Sequence, residues 1–129
     1  MRPKAWALIG YGQIIGERLT VVQGRRTFPH QNKLFAQGRT SPGRRVTSAK
    51  AGQSYHNYGL AVDLAGVNDD GSINWGVPYK EIAVFAEKEL GLYWGGHFPA
   101  KKRDAPHFEF RFLPWQRLLG IAPKGRLST

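Results

Sequence analysis

The chain contains no cysteine. Disulfide staples and thiolate metal ligands are both excluded, so any transition-metal site must be built from histidine and carboxylate. No stretch approaches the roughly 20 consecutive apolar residues that a bilayer-crossing helix needs, and the chain reads as soluble when made. The opening MRPKAWALIGYGQII has a basic tip, but Trp6, Gly10, Gly12 and Gln13 interrupt it and no small-residue cleavage motif follows. No secretory signal is therefore expected, and cytoplasmic synthesis is the default. Acidic residues are scarce, nine against 19 Lys and Arg, leaving a formal charge of +10. That surplus favours polyanionic partners, whether nucleic acid, anionic headgroups or acidic wall polymers, and does not choose among them. No internal repeat is present.

What remains is the composition of a packed domain. The 129 residues, 41% apolar and 12% aromatic, suffice for one core, so residues 1–129 are expected to form a single domain, and a monomer is expected. Helical spacing is expected over Lys4–Glu17 after Pro3, interrupted by glycines. LTVVQG reads as a strand, followed by a helix that Thr27 caps and Gly38 ends. Residues 39–53, rich in Arg, Ser, Gly and Pro, read as a surface loop. LAVDLAG alternates as a strand with Ala61, Asp63 and Ala65 on one face and Leu60, Val62 and Leu64 on the other. PYKEIAVFAEKELG has the strongest helical pattern; LYWGG and HFEFRF read as strands, the second with Phe108, Phe110 and Phe112 facing the core. PWQRLLG reads as a short helix, and the tail from about residue 121 is expected to fray. Short strands and helices without a strand–helix rhythm predict an α+β domain with a central antiparallel sheet flanked by helices.

Taken alone, His30, His56, His97 and His107 each have an ordinary structural explanation. Their arrangement points further. His56 and Asp63 bracket the entry to one strand and His107 opens the polar face of another, so three ligands converge if the strands are neighbours. Two imidazoles and one carboxylate leave a fourth zinc position for water, which is the pattern of a catalytic site. Peptide hydrolysis also needs a carboxylate to carry the proton, and Asp104 and Glu109 both lie close to His107 in the chain. The chemistry does not separate them.

The segments SYHNYGLAVD, WGGHF and DAPHFEF, in that order, resemble the zinc peptidoglycan peptidases that include D-alanyl-D-alanine carboxypeptidases and L-alanyl-D-glutamate endopeptidases, and within them the phage endolysin branch. The resemblance runs from about Val22 to Phe112. It implies Zn2+ held by His56, Asp63 and His107, with Asp104 as general base and Glu109 orienting a ligand. Ser54 matches the first position of the family's Ser-x-His motif. Arg26, Thr27 and Gln31 match an upstream segment, which implies that Arg26, rather than Arg25, stabilises charge on the scissile carbonyl. His97 stands where that branch commonly has aspartate, which implies altered substrate contacts near that turn or competition for the metal. The implied substrate is the stem peptide of bacterial peptidoglycan, most closely the L-alanyl-D-glutamate bond, with D-alanyl-D-alanine carboxypeptidase action as the alternative. The implied role is host lysis, with the protein held in the cytoplasm until release; the surplus positive charge, Lys101, Lys102 and Arg103 included, is expected to hold it to anionic envelope polymers.

A different class of reading makes the chain a basic, non-enzymatic module for nucleic acid or wall polymer, with no metal requirement. No specific nucleic-acid motif supports it. NDDGS has clustered oxygens but lacks the spacing and terminal glutamate of an EF-hand, and reads as a turn.

Overall fold

The computed structural model of the chain describes residues 1–111 and 113–121; Phe112 and the tail from residue 122 lie outside the described residues. Helix α1 spans Arg2–Ile14 with Pro3 in its first turn, where a missing N–H costs no hydrogen bond. It starts before the expected Lys4, and it ends before Glu17 because Gly16, at φ 83°, turns the chain into strand β1, Leu19–Gln23. Gly12 is where this helix meets β1: a Cβ there would lie 2.6 Å from Leu19 Cδ1 and 2.9 Å from the Glu17 carbonyl oxygen.

Helix α2, Phe28–Ala36, begins as expected, with Thr27 Oγ1 accepting from the His30 N–H at 3.2 Å. Strand β2 is Ala61–Val67 and β3 Ile73–Asn74. Between them NDDGS is a turn, in which Asp70 accepts from the Ser72 N–H and hydroxyl. Helix α3, Tyr79–Leu90, ends at Gly91 in the left-handed conformation, φ 65°. Strands β4, Tyr93–Trp94, and β5, His107–Glu109, are followed by α4, Trp115–Ile121.

The sheet is antiparallel in the order β1-β2-β5-β4, with β3 added beside β2, which makes the domain the expected α+β fold. Two strands are shorter than their patterns suggest. LYWGG leaves the sheet after Trp94 into a 3-10 turn, and HFEFRF is ladder only to Glu109, although the Phe110 N–H still donates to the Leu60 carbonyl at 2.7 Å. The pleat sorts the two faces. Val62 and Leu64 on β2 and Phe108 on β5 pack against Leu8 of α1 and Ile82 and Ala86 of α3. Leu8, Leu64, Ile82 and Phe108 are completely buried, each contributing roughly 1.5–3 kcal/mol. The opposite face carries Asp63, His107 and Glu109. Helices α1 and α3 cover the core face, while loops with parts of α2 and α4 border this polar face.

Candidate metal centre

The register brings two candidate ligands together directly, since Asp63 on β2 stands opposite His107 on β5. His56 arrives from a 3-10 turn, Tyr55–Tyr58, immediately before β2. Ser54 caps this turn, its Oγ accepting from the His56 N–H at 3.2 Å, and Gly59 ends it at φ 68°. Asn57, 2% exposed, ties the turn down: its Oδ1 accepts from the Gly52 N–H and its Nδ2 donates to the Arg26 carbonyl.

The three donor atoms form a nearly equilateral triangle. His56 Nε2 lies 3.2 Å from His107 Nδ1, and each of these nitrogens lies 3.3 Å from Asp63 Oδ1. Four tetrahedral ligands about 2.0–2.1 Å from a zinc ion stand about 3.3–3.4 Å from one another, so the triangle has the dimensions of one face of that tetrahedron. Both histidines are committed at their other nitrogen. His56 Nδ1 donates to the Gly24 carbonyl at 2.8 Å, and His107 Nε2 donates to Glu109 Oε1 at 2.6 Å. Two imidazole lone pairs and a carboxylate oxygen therefore face one point, a donor set that calls for a cation there.

The electrostatics of the triangle agree. Burial alone raises the Asp63 carboxyl, but hydrogen bonds from His107 and His56 outweigh it and hold that group well below the usual carboxylate range. Burial lowers His107, yet Asp63 and Glu109 push it up to about 9. In the metal-free protein a proton thus takes the place that a divalent ion would fill.

The two further carboxylates differ in surroundings. Glu109, 4% exposed, is engaged by His107 on one oxygen and by Arg111 Nε on the other. Asp104 sits in the turn before β5, and among the described residues its carboxylate has no hydrogen-bond partner. Burial, then repulsion from Asp63, raises its pKa above the ordinary value. The turn is fastened to β4: the Trp94 indole donates to the Ala105 carbonyl at 2.7 Å, and the Asp104 N–H donates to the Gly95 carbonyl at 3.0 Å.

Arg26, 9% exposed, is held by neutral acceptors, with Nη1 donating to Gln31 Oε1 at 2.8 Å and Nη2 to Gln23 Oε1 at 2.9 Å. Gln31 is itself fully buried and donates to the Ala49 carbonyl. Among the described residues Arg26 Nε is buried without a partner and the guanidinium has no ion pair; burial lowers its pKa despite Asp63 and Asp104. Gln23, which the sequence reading passed over, reaches this position through a register shift: Val21 pairs with Leu64 but Gln23 with Asp63, so Val22 is the extra residue.

These groups line an open cleft of about 950 Å3 that also takes in Ser54, Lys101, Lys102 and Arg111. Residues 46–49 form part of its wall, so the segment expected to be only a surface loop helps to build the site. The structure does not bring His97 to the cluster. Its Nε2 bonds Glu87 on α3 at 2.6 Å, and its ring lies against Trp94 outside the cleft lining. His30 and Arg25 are exposed and also stand apart.

Fold and site together define a small antiparallel α+β domain with a His–Asp–His cluster of metal-ligand geometry on the polar face of its sheet. Residues 47–110, which hold all three candidate ligands, match the family described as D-alanyl-D-alanine carboxypeptidase. The chain is 42% identical over 104 residues, 73% of its length, to the peptidoglycan L-alanyl-D-glutamate endopeptidase CwlK of Bacillus subtilis, and it spans 61% of that relative. Among solved structures it is similar to the Serratia marcescens L-Ala D-Glu endopeptidase ChiX, with TM-score 0.57 and 27% identity over 85% of this chain and 80% of that one. It shares the fold of the vancomycin resistance D,D-pentapeptidase VanY, solved with Zn(II), with TM-score 0.56 and 16% identity over 92% and 75% of the two chains.

Proposed function

We propose that the chain is a zinc-dependent peptidoglycan peptidase that hydrolyses the L-alanyl-D-glutamate bond of the stem peptide. The observation that carries this reading is the triangle of His56, Asp63 and His107 donors 3.2–3.3 Å apart, with each imidazole tied at its other nitrogen. His56, Asp63 and His107 would hold the zinc, which when bound would supply Lewis acidity to the scissile carbonyl and to the attacking water. The remaining steps belong to the chain. Asp104 takes the proton of the attacking water and returns it to the departing amine, a role its unpartnered carboxylate and raised pKa support. Arg26, fixed by Gln23 and Gln31, stabilises the negative charge that develops on the carbonyl oxygen. Glu109 holds the His107 tautomer that leaves Nδ1 free to bind metal.

Two endopeptidases of this specificity among the similar proteins favour the L-alanyl-D-glutamate bond over carboxypeptidase action. The basic surface holds the enzyme to anionic envelope polymers. Host lysis by a phage is the finest reading, and it rests on the resemblance of SYHNYGLAVD, WGGHF and DAPHFEF to the phage endolysin branch. Among the described residues no helix is long and apolar enough to cross a membrane.

Asp104→Ala tests the assignment. Bound zinc is expected to stay at the wild-type ratio while muropeptide release falls about 100-fold or more. Full wall digestion by that variant would refute the role. Mass spectrometry of the wild-type digest identifies the bond: a new D-glutamyl amino terminus supports the endopeptidase, and loss of a terminal D-alanine alone indicates the carboxypeptidase.

A further inference from the structure

Hydrolysis before a glutamyl residue leaves that residue's free carboxylate untouched, so the carboxylate is available purely for recognition. A group that receives it has to be cationic, near the metal triad and already ordered. Of the cations lining the cleft, Arg26 has both terminal nitrogens taken by glutamines. Arg39 donates to the Phe35 and Thr47 carbonyls and stacks on Phe35, and Arg45 donates to the Gly38 carbonyl. Lys101 and Lys102 are exposed on a short 3-10 turn, where fixing a long flexible side chain costs entropy.

Arg111 is different. Its Nε donates to Glu109 Oε2, and the other oxygen of Glu109 receives His107 Nε2, so one carboxylate separates this guanidinium from a candidate zinc ligand. Its plane is set by aromatic rings, with Cζ 3.6 Å from the Tyr93 ring centroid and 5.9 Å from that of Phe98. The side chain is 44% exposed at the cleft, and among the described residues Nη1 and Nη2 have no hydrogen-bond partner. A guanidinium anchored through Nε and by stacking presents its outer N–H groups as a ready fork for a carboxylate.

We propose that Arg111 is a specificity residue that binds the free carboxylate of the glutamyl residue on the leaving side of the scissile bond. The inference rests on the endopeptidase reading. Two synthetic peptides test it, one with an L-alanyl-D-glutamyl unit bearing that carboxylate and one with it converted to the primary amide. For the zinc-loaded wild type, kcat/KM is expected to favour the acid by about 10- to 100-fold, the worth of one charge-assisted pair. Arg111→Gln is expected to bring the ratio close to one with zinc content unchanged. Arg111→Lys, which keeps the charge but not the fork, is expected to fall between. A wild type that cuts both peptides equally, or an Arg111→Gln variant that keeps the wild-type ratio, overturns the proposal. If Arg111→Gln does not fold, Arg111→Lys decides: a reduced ratio supports the assignment and an unchanged one overturns it.

Calorimetric binding of the cleaved D-glutamyl peptide and its amide separates this failure from failure of the endopeptidase reading. If the wild type cuts neither peptide, the reaction assignment fails. Arg111 is then supported as a carboxylate site only if the acid binds more tightly and that advantage disappears in the variant; equal binding overturns it.

Discussion

Each imidazole of the triad is oriented before any ligand arrives, and the two are oriented by different means. His56 leans on a main-chain carbonyl, Gly24, that no side-chain substitution removes; His107 leans on Glu109. Glu109→Gln keeps the shape but removes the charge that draws the Nε2 proton. Zinc affinity, measured by competition with a chromogenic chelator, is expected to fall about 10- to 100-fold with the fold unchanged. Unaltered affinity would show that Glu109 does not tune the ligand. The triad was legible in the sequence because metal chemistry restricts the residue types and the alternation of LAVDLAG placed Asp63 on a polar face. The supports of Arg26 were less so. Gln31 stood out only through the family segment, while Gln23 and Asn57 gave no signal, since a hydrogen bond to an amide or a main-chain group leaves no recurring pattern.

At the scale of elements, the site depends on how closely the turn before β5 lies against the end of β4. A Cβ on Gly95 would meet the Asp104 carbonyl oxygen at 2.2 Å and His107 Cβ at 2.9 Å, and neither is the free end of a flexible side chain. Gly95→Ala must push the Asp104–His107 segment away from β4. A loss of about 1–3 kcal/mol in stability is expected from denaturant melts, together with weakened zinc binding and activity. Wild-type zinc affinity in that variant would mean that the turn does not set the ligand position. The shortness of β4 and β5 has the same origin. Alternation in HFEFRF predicts a strand for as long as it lasts, but the ladder extends only as far as a neighbouring strand runs beside it.

At the scale of the whole molecule, the hydrophobic core and the three candidate ligands occupy opposite faces of one sheet. Leu8, Leu64, Ile82 and Phe108 are packed without any contribution from a metal, so chelation is expected to abolish peptidase activity and lower Tm while leaving the far-UV circular dichroism native. Loss of that signal on chelation would instead make the ion structural. The metal-free protein has its own pH profile. His107 is raised from an ordinary 6.5 to about 9, so its contribution to stability is complete below pH 6.5 and is lost as pH rises through about 9. Asp63 is lowered from an ordinary 3.8, so its contribution is present above that pH and is lost as pH falls toward the depressed native value. Melts of the metal-free protein are therefore expected to show the triad's full contribution between about pH 4 and 6.5, declining on both sides. A flat Tm from pH 6 to 10 in the presence of chelator contradicts the coupling.

The sequence by itself determined the ligand types, the fold class and the faces of the strands, because local alternation and the absence of cysteine constrain these directly. Only the tertiary structure decided which residues meet. The pairing register sets Asp63 against His107, the extra residue Val22 brings Gln23 to Arg26, and the loop at residues 46–49 becomes a cleft wall. Such contacts join positions far apart in the chain, and their geometry follows from how the layers pack.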